Sequence, residues 1–247
     1  MRYFLELAYN GAPFIGWQKQ PGQKSVQQCL EDALSTLLQT PTEPTGCGRT
    51  DTGVHARRYF AHFDFEGEIP ENFFPRINFL LPEDVAVYRL IPVDAEAHAR
   101  YDAIRRGYEY QVVFRKDPFL TQQAYYFPFF KKTDFEKMQE AARLLLNYRE
   151  FATFCKTNHD AKTMECDLFR SEWLLDEANH RMTYYISANR FLRGMVRLIV
   201  GMCINVGLGK IDLETVKEAL DKQEILVRAE SAPAHGLFLT EVEYPFL

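Results

Sequence analysis

The chain has 247 residues, 47% of them hydrophobic and 26% charged, with a formal net charge of −5. That suits one large globular domain or two closely packed lobes, and the acidic balance argues against a simple nucleic-acid binder, since phosphate contacts need Lys and Arg. No apolar run reaches membrane-spanning length, the start Met1-Arg2-Tyr3-Phe4-Leu5-Glu6 does not read as a signal peptide, and five cysteines without a CxxC pair argue against a disulfide frame or zinc site, so reduced thiols in a cytoplasmic protein are expected.

Arg2 to Ala8 alternates as a strand does, and Asn10-Gly11 marks a turn. Ser25-Val26-Gln27-Gln28 has the form of a capping box, with Ser25 as N-cap. It opens an amphipathic helix that carries Val26, Cys29, Leu30, Ala33, Leu34, Leu37 and Leu38 on one face. Strands are expected over 43–47 and 57–65, a short helix from Pro70 to Leu81 and a strand from Val85 to Val93. A second round gives a strand from Gly107 to Arg115, a helix from Thr133 to Asn147 and strands over 167–176 and 181–188. A very apolar helix from Arg190 to Val206, a smaller one from Asp212 to Asp221 and a closing strand from Leu237 to Glu243 complete the chain. Two strand–helix–strand–strand rounds predict two α+β lobes, residues 1–100 and 101–247, whose sheets join.

The chemistry concentrates in three places. Gly48-Arg49-Thr50-Asp51-Thr52-Gly53-Val54-His55-Ala56 displays one carboxylate between glycines, with Thr50 and Thr52 able to hydrogen-bond it and Arg49 as a nearby cation. The same residues also fit an ordinary Asx-turn between strands. His55, read as part of this loop, is either a catalytic candidate or a brace that hydrogen-bonds the loop. In the late helix a 100° spacing lines up Arg190, Arg193, Arg197, Gly201 and Asn205 among apolar neighbours. Arg197, in mid-helix, needs a carboxylate there. That partner is either some structural acid or Asp51, which such a pair would keep ionised and fixed. On the strand from Arg106, Tyr108 and Tyr110 share a face, either as packing or as a base-stacking platform. The clusters Arg57-Arg58, Arg105-Arg106, Lys131-Lys132 and Arg190, Arg193, Arg197 offer a cationic cleft despite the net charge. Histidine spacing does not suggest a metal site, and neither a Walker loop nor GxGxxG after a strand is found, so no metal or nucleotide cofactor is expected.

These residues resemble the TruA family of tRNA pseudouridine synthases. The likeness runs from Tyr9-Asn10-Gly11, Phe14-Ile15-Gly16-Trp17-Gln18 and Ser25-Val26-Gln27 through the Asp51 motif. It continues in Asn78 with Leu81-Pro82-Glu83-Asp84, in Arg106, Tyr108 and Tyr110, and in Phe191-Leu192-Arg193-Gly194-Met195-Val196-Arg197. Ala232-Pro233-Ala234-His235-Gly236-Leu237-Phe238-Leu239 closes it. The resemblance implies a cofactor-free isomerase that makes pseudouridine from uridines 38, 39 and 40 of the tRNA anticodon stem-loop. It implies two RNA-recognition-like (ferredoxin-like) α+β lobes sharing a continuous, mainly antiparallel sheet with helices on one side, and a homodimer. Asp51 is then the nucleophile, Arg197 its ion-pair partner and Tyr108 the residue that stacks on the target base. Arg49, Leu237, His55 and Arg58 are further substrate contacts.

Two other readings compete. A non-catalytic RNA-binding protein of the same fold has no use for an aspartate paired to a buried Arg. A nucleoside or glycoside hydrolase also attacks C1′ but normally uses two carboxylates, and no second acid accompanies Asp51.

Overall fold

The computed structural model describes residues 1–156 and 163–247. His159, one of the six histidines weighed for metal spacing, lies outside the described residues. In chain order the first half forms β1 (Arg2–Tyr9), α1 (Val26–Leu38), β2 (Thr45–Gly46), β3 (His55–Asp64), α2 (Phe73–Leu80) and β4 (Val85–Val93). Next come β5 (Arg105–Val113), β6 (Tyr125–Tyr126), α3 (Phe135–Leu144), β7 (Leu168–Asp176) and β8 (Arg181–Ala188). The chain closes with α4 (Met195–Gly207), α5 (Leu213–Lys222) and β9 (Leu237–Glu243). Strands with both antiparallel and parallel pairings, together with these helices, make the protein α+β.

The chain forms two compact units, Met1–Ile104 with Phe238–Leu247, and Arg105–Leu237. In the first unit β1 lies between β4 and β3, antiparallel to both, and β9 runs parallel to β3 with His55 opposite Phe238. β2 pairs with the same β3 farther along, with Thr45 opposite His62. It is shorter than the expected 43–47 because Pro44 has no N–H for a ladder. Ser25 caps α1, its side chain accepting from the Gln28 N–H at 3.2 Å, a contact worth about 1 kcal/mol. The box closes on one side only, since the Gln28 amide turns to Asp32. The buried Gln27 ties α1 to the Pro44 carbonyl and accepts from the Lys19 N–H. Asn78 of α2 binds β4 through both halves of its amide: Nδ2 donates to the Val87 carbonyl at 2.9 Å and Oδ1 accepts from the Val87 N–H at 2.8 Å.

In the second unit β8 lies between β5 and β7, antiparallel to both, and β6 runs parallel to β5. The register puts Tyr110, Tyr184 and Trp173 abreast, all buried, as one layer of the core. α3 is fastened to β7 by Gln139, which accepts from the Trp173 N–H, and by Ser171, whose hydroxyl donates to the Ala142 carbonyl. The helix expected over 133–147 begins after its Asp134 cap and ends in a tighter 3-10 turn, Leu145–Asn147.

The main departure from expectation is the start of α4. Gly194 takes φ 72° and interrupts the helical run, so the helix begins at Met195 and not at Arg190. The preceding segment is held in another way. The Asn189 carbonyl accepts from Arg106 Nη1 at 3.0 Å and the Arg193 carbonyl from the Lys156 N–H at 3.1 Å. Arg190 and Arg193 therefore do not share the helical stripe, which reduces to Arg197, Gly201 and Asn205.

Candidate active site

Asp51 is half-buried in the loop between β2 and β3, and the segment just after β1 cradles that loop. Tyr9 Oη and Thr50 Oγ1 are 2.8 Å apart, the Gly53 N–H donates to the Phe14 carbonyl at 3.3 Å, and Thr52 Oγ1 donates to the Ile15 carbonyl at 3.0 Å. The Trp17 N–H reaches the Thr50 carbonyl at 3.4 Å. From below, the buried Tyr59 hydroxyl donates to the Gly48 carbonyl while its ring stacks on Trp17 at 4.3 Å. Burial pushes the Tyr59 phenol well above its ordinary pKa, which keeps it a donor. Gly16 makes the close approach possible. Its φ is 105°, and a Cβ there would stand 2.1 Å from the Thr50 carbonyl oxygen. A turn closed by the Val54 N–H on the Asp51 carbonyl, at 3.1 Å, finishes the loop.

This corrects one expectation. Thr50 and Thr52 do not serve the carboxylate; their hydroxyls are engaged by Tyr9 and Ile15 and hold the loop's backbone. Arg49 is exposed beside Asp51 in the sequence. His55 opens β3, which starts two residues earlier than expected. It is buried, its Nδ1 accepts from the Gly11 N–H at 2.9 Å, and its ring stacks on Phe238 at 4.5 Å. That geometry braces the loop. Arg58 donates Nε to Glu6 at 3.0 Å, and Glu6 also takes Arg89 at 3.0 Å, so one carboxylate offsets part of both charges.

Tyr108, Arg197 and Leu237 belong to the second unit. Tyr108 and Tyr110 share a face of β5, opposite Ile186 and Tyr184, as alternation requires. Their environments differ. Tyr110 is fully buried, donates to the Pro233 carbonyl at 2.8 Å and has its phenol pushed up by burial. Tyr108 is half-buried, with the ring of Phe191 edge-on at 5.2 Å, and of the two it alone is not fully buried. Arg197 sits half-buried in the first turn of α4, not buried in mid-helix, because the helix begins late. A cation there opposes the helix dipole by about 0.3–1 kcal/mol, which increases the benefit of a nearby anion. Its Nε donates to the Ala232 carbonyl at 2.7 Å and its own carbonyl accepts from the Ala232 N–H at 3.0 Å. Leu237 is buried just after the 3-10 turn Ala234–Gly236.

Sequence reasoning missed the cradle. Tyr9, Phe14, Ile15, Gly16 and Trp17 stand out in the sequence only through the family likeness, and their clustering of aromatics and glycines is the available signal. Among the described residues no group of three or more His, Cys, Asp or Glu is placed to hold a metal ion, and no helix is long and apolar enough to cross a membrane.

The family model for tRNA pseudouridine synthase matches residues 141–245. The tRNA pseudouridine synthase A of Porphyromonas gingivalis is 42% identical over 247 residues, covering 99% of this chain and 97% of that protein. Those of Bacteroides thetaiotaomicron and Bacillus subtilis are 44% and 34% identical, covering 99% of this chain in each case and 91% and 99% of theirs. The chain belongs to the tRNA pseudouridine synthase A (TruA) family, and is an isomerase acting on tRNA uridine.

Proposed function

We propose that this chain converts uridine to pseudouridine at positions 38, 39 and 40 of the tRNA anticodon stem-loop, as a cofactor-free homodimer in the cytoplasm. The observation that carries the reading is the Asp51 loop: a single half-buried carboxylate on a loop whose backbone is pinned by hydroxyl and main-chain contacts. The reaction breaks the C1′–N1 bond, turns the uracil, forms a C1′–C5 bond, releases the C5 hydrogen as a proton and returns a proton to N1. In the proposed site Asp51 is the nucleophile, attacking C1′ or adding to C6, or else takes a proton from the sugar to give a glycal. Arg197 is its ion-pair partner and sets its rotamer.

A target inside the stem must leave the stack at a cost of a few kcal/mol. Tyr108 offsets part of that by stacking on the flipped base, worth roughly 1–3 kcal/mol. Arg49 holds the flipped nucleotide or its phosphate and Leu237 lines the base pocket. His55 contributes from beneath the loop, and Arg58 adds a charge partly offset by Glu6, the carboxylate it shares with Arg89.

The fold that goes with this reading is two RNA-recognition-like, ferredoxin-like lobes, dividing near residue 100 and sharing one mainly antiparallel sheet with helices on one side. Support comes from the first unit, where the succession β1-α1-β2-β3-α2-β4 gives the spatial order β4-β1-β3-β2. The test is tritium release from anticodon stem-loops labelled at uridine C5. Release at positions 38, 39 or 40 with unchanged RNA mass is expected. Free uracil would indicate hydrolysis, and tight binding without release would indicate a non-catalytic RNA-binding protein; either would overturn the reading.

A further inference from the structure

Arg197, Gly201 and Asn205 lie on one line down α4, and all three meet the same stretch of chain. The strap Arg228–Ala232 runs along that line. Asn205, 8% exposed, donates Nδ2 to the Arg228 carbonyl at 2.8 Å. At Gly201 a Cβ would stand 1.8 Å from the Glu230 carbonyl oxygen, so the strap rests directly on the helix backbone. At Arg197 the contact is reciprocal: Nε donates to the Ala232 carbonyl at 2.7 Å and the Ala232 N–H donates back to the Arg197 carbonyl at 3.0 Å. The strap is then handed to Tyr110 through the Pro233 carbonyl at 2.8 Å.

The lower end is the anchor. Arg228 takes φ 69°, which a residue with a Cβ holds only under constraint. The constraint is visible: Asn205 grips its carbonyl, and Arg228 Nη1 donates to the Lys210 carbonyl at 3.2 Å. The Lys210 N–H in turn donates to the Asn205 carbonyl at 2.9 Å, closing a ring of contacts. Asn205 lies two helical turns, about 12 Å, from Arg197, so it acts on that residue only through the strap.

We propose that Asn205 is a positioning residue for Arg197. It fixes the register of the strap, the strap presents the Ala232 carbonyl to Nε, and that bond sets the plane of the guanidinium. A planar guanidinium with Nε committed sideways to a carbonyl can meet a carboxylate only through its two Nη groups. The direction from which Arg197 approaches an anion is therefore set two turns away. The inference rests on the reading that Arg197 pairs with the catalytic carboxylate.

The test is a double-mutant cycle read as kcat and KM for tritium release from tRNA, with thermal unfolding of each variant. Asn205→Leu should lower kcat about tenfold or more, with KM within about twofold, since misplacement of order 1 Å at a catalytic group costs up to about a hundredfold. Arg197→Lys, which has no fork to orient, should itself lower kcat strongly. Adding Asn205→Leu to Arg197→Lys should then cost less than about twofold more. An equal loss in both backgrounds would make Asn205 merely structural and overturn the proposal, as would full kcat in Asn205→Leu. If Asn205→Leu does not fold, Asn205→Ala, which leaves room for water on the Arg228 carbonyl, carries the same cycle. Wild-type kcat in Arg197→Lys would remove the assigned role of Arg197 itself, which separates that failure from one confined to Asn205.

Discussion

The two units draw on different side chains to hold their loops. In the first, imidazoles and a serine accept from backbone N–H groups: His55 from Gly11, His62 from Ala99, His98 from Arg100 and Ser25 from Gln28. In the second, side chains mostly donate to backbone carbonyls: Arg197 to Ala232, Asn205 to Arg228, Tyr110 to Pro233 and Thr153 to Ala219. The difference matters because imidazole accepts only while neutral, whereas guanidinium, amide and phenol remain donors through the physiological range. The imidazole-held contacts of the first unit thus depend on protonation more than the Arg197 strap does.

The most severe way to separate the two roles is chemical. Asp51→Asn should leave both units folded and tRNA bound, since size and loop bonds are kept, yet cut tritium release by at least ~100-fold. Turnover above a hundredth of wild type would end the nucleophile assignment.

Next is the backbone of the cradle. Gly16→Ala should destabilise the protein by roughly 2–4 kcal/mol in urea unfolding, from a strained φ plus a collision with a carbonyl. Gly22, with φ 72° and nothing within 4 Å of its would-be Cβ, isolates the strain alone. Gly22→Ala should cost only about 1 kcal/mol. Equal costs would mean that the loop is not pressed against Gly16.

Acid should distinguish the units more gently. Burial, with His98 and Arg2 close by, lowers the His62 pKa to about 4, against the attraction of Asp64 and Asp102. The unfolded chain takes up that proton near pH 6.5 and the folded one near 4, so the stabilising term is complete above 6.5 and is lost as pH falls towards 4. Allowing for partial solvent screening, the loss is roughly 1–2 kcal/mol, measurable by urea titrations at several pH values. His62→Gln should flatten that profile, and an unchanged slope would acquit the imidazole. Tyr110→Phe should have the smallest effect, about 1 kcal/mol for one hydrogen bond to Pro233 and the same at pH 5 and pH 7.

Local signals carried far into this fold. The limits of β4 and β8 coincide with the sequence expectation, because Val85–Val93 and Arg181–Ala188 are bounded by turn residues that local chemistry announces. The Ser25 cap and the Asp51 loop were likewise legible. The start of α4 was not: Arg190 and Arg193 keep the helical spacing, and periodicity does not register the left-handed φ at Gly194. The uses of Thr50 and Thr52 were hidden because their partners, Tyr9 and Ile15, are remote in sequence. The parallel pairing of β9 with β3 was equally invisible, since it joins residues some 180 positions apart and has no turn of its own. A hairpin leaves a mark in sequence that a long return does not.

Asn78 has a consequence beyond the packing of α2. β4 ends its sheet, and the outward-facing peptide groups of such a strand invite another chain to add itself. At Val87 both the donor and the acceptor of that invitation are taken by one side chain, which imitates the next strand without being able to continue it. Pro92 removes another donor farther along. The helix that lies beside this strand therefore also guards it: losing the Asn78 amide would leave the monomer's fold largely intact and open a site for self-association, visible as concentration-dependent aggregation before any loss of secondary structure.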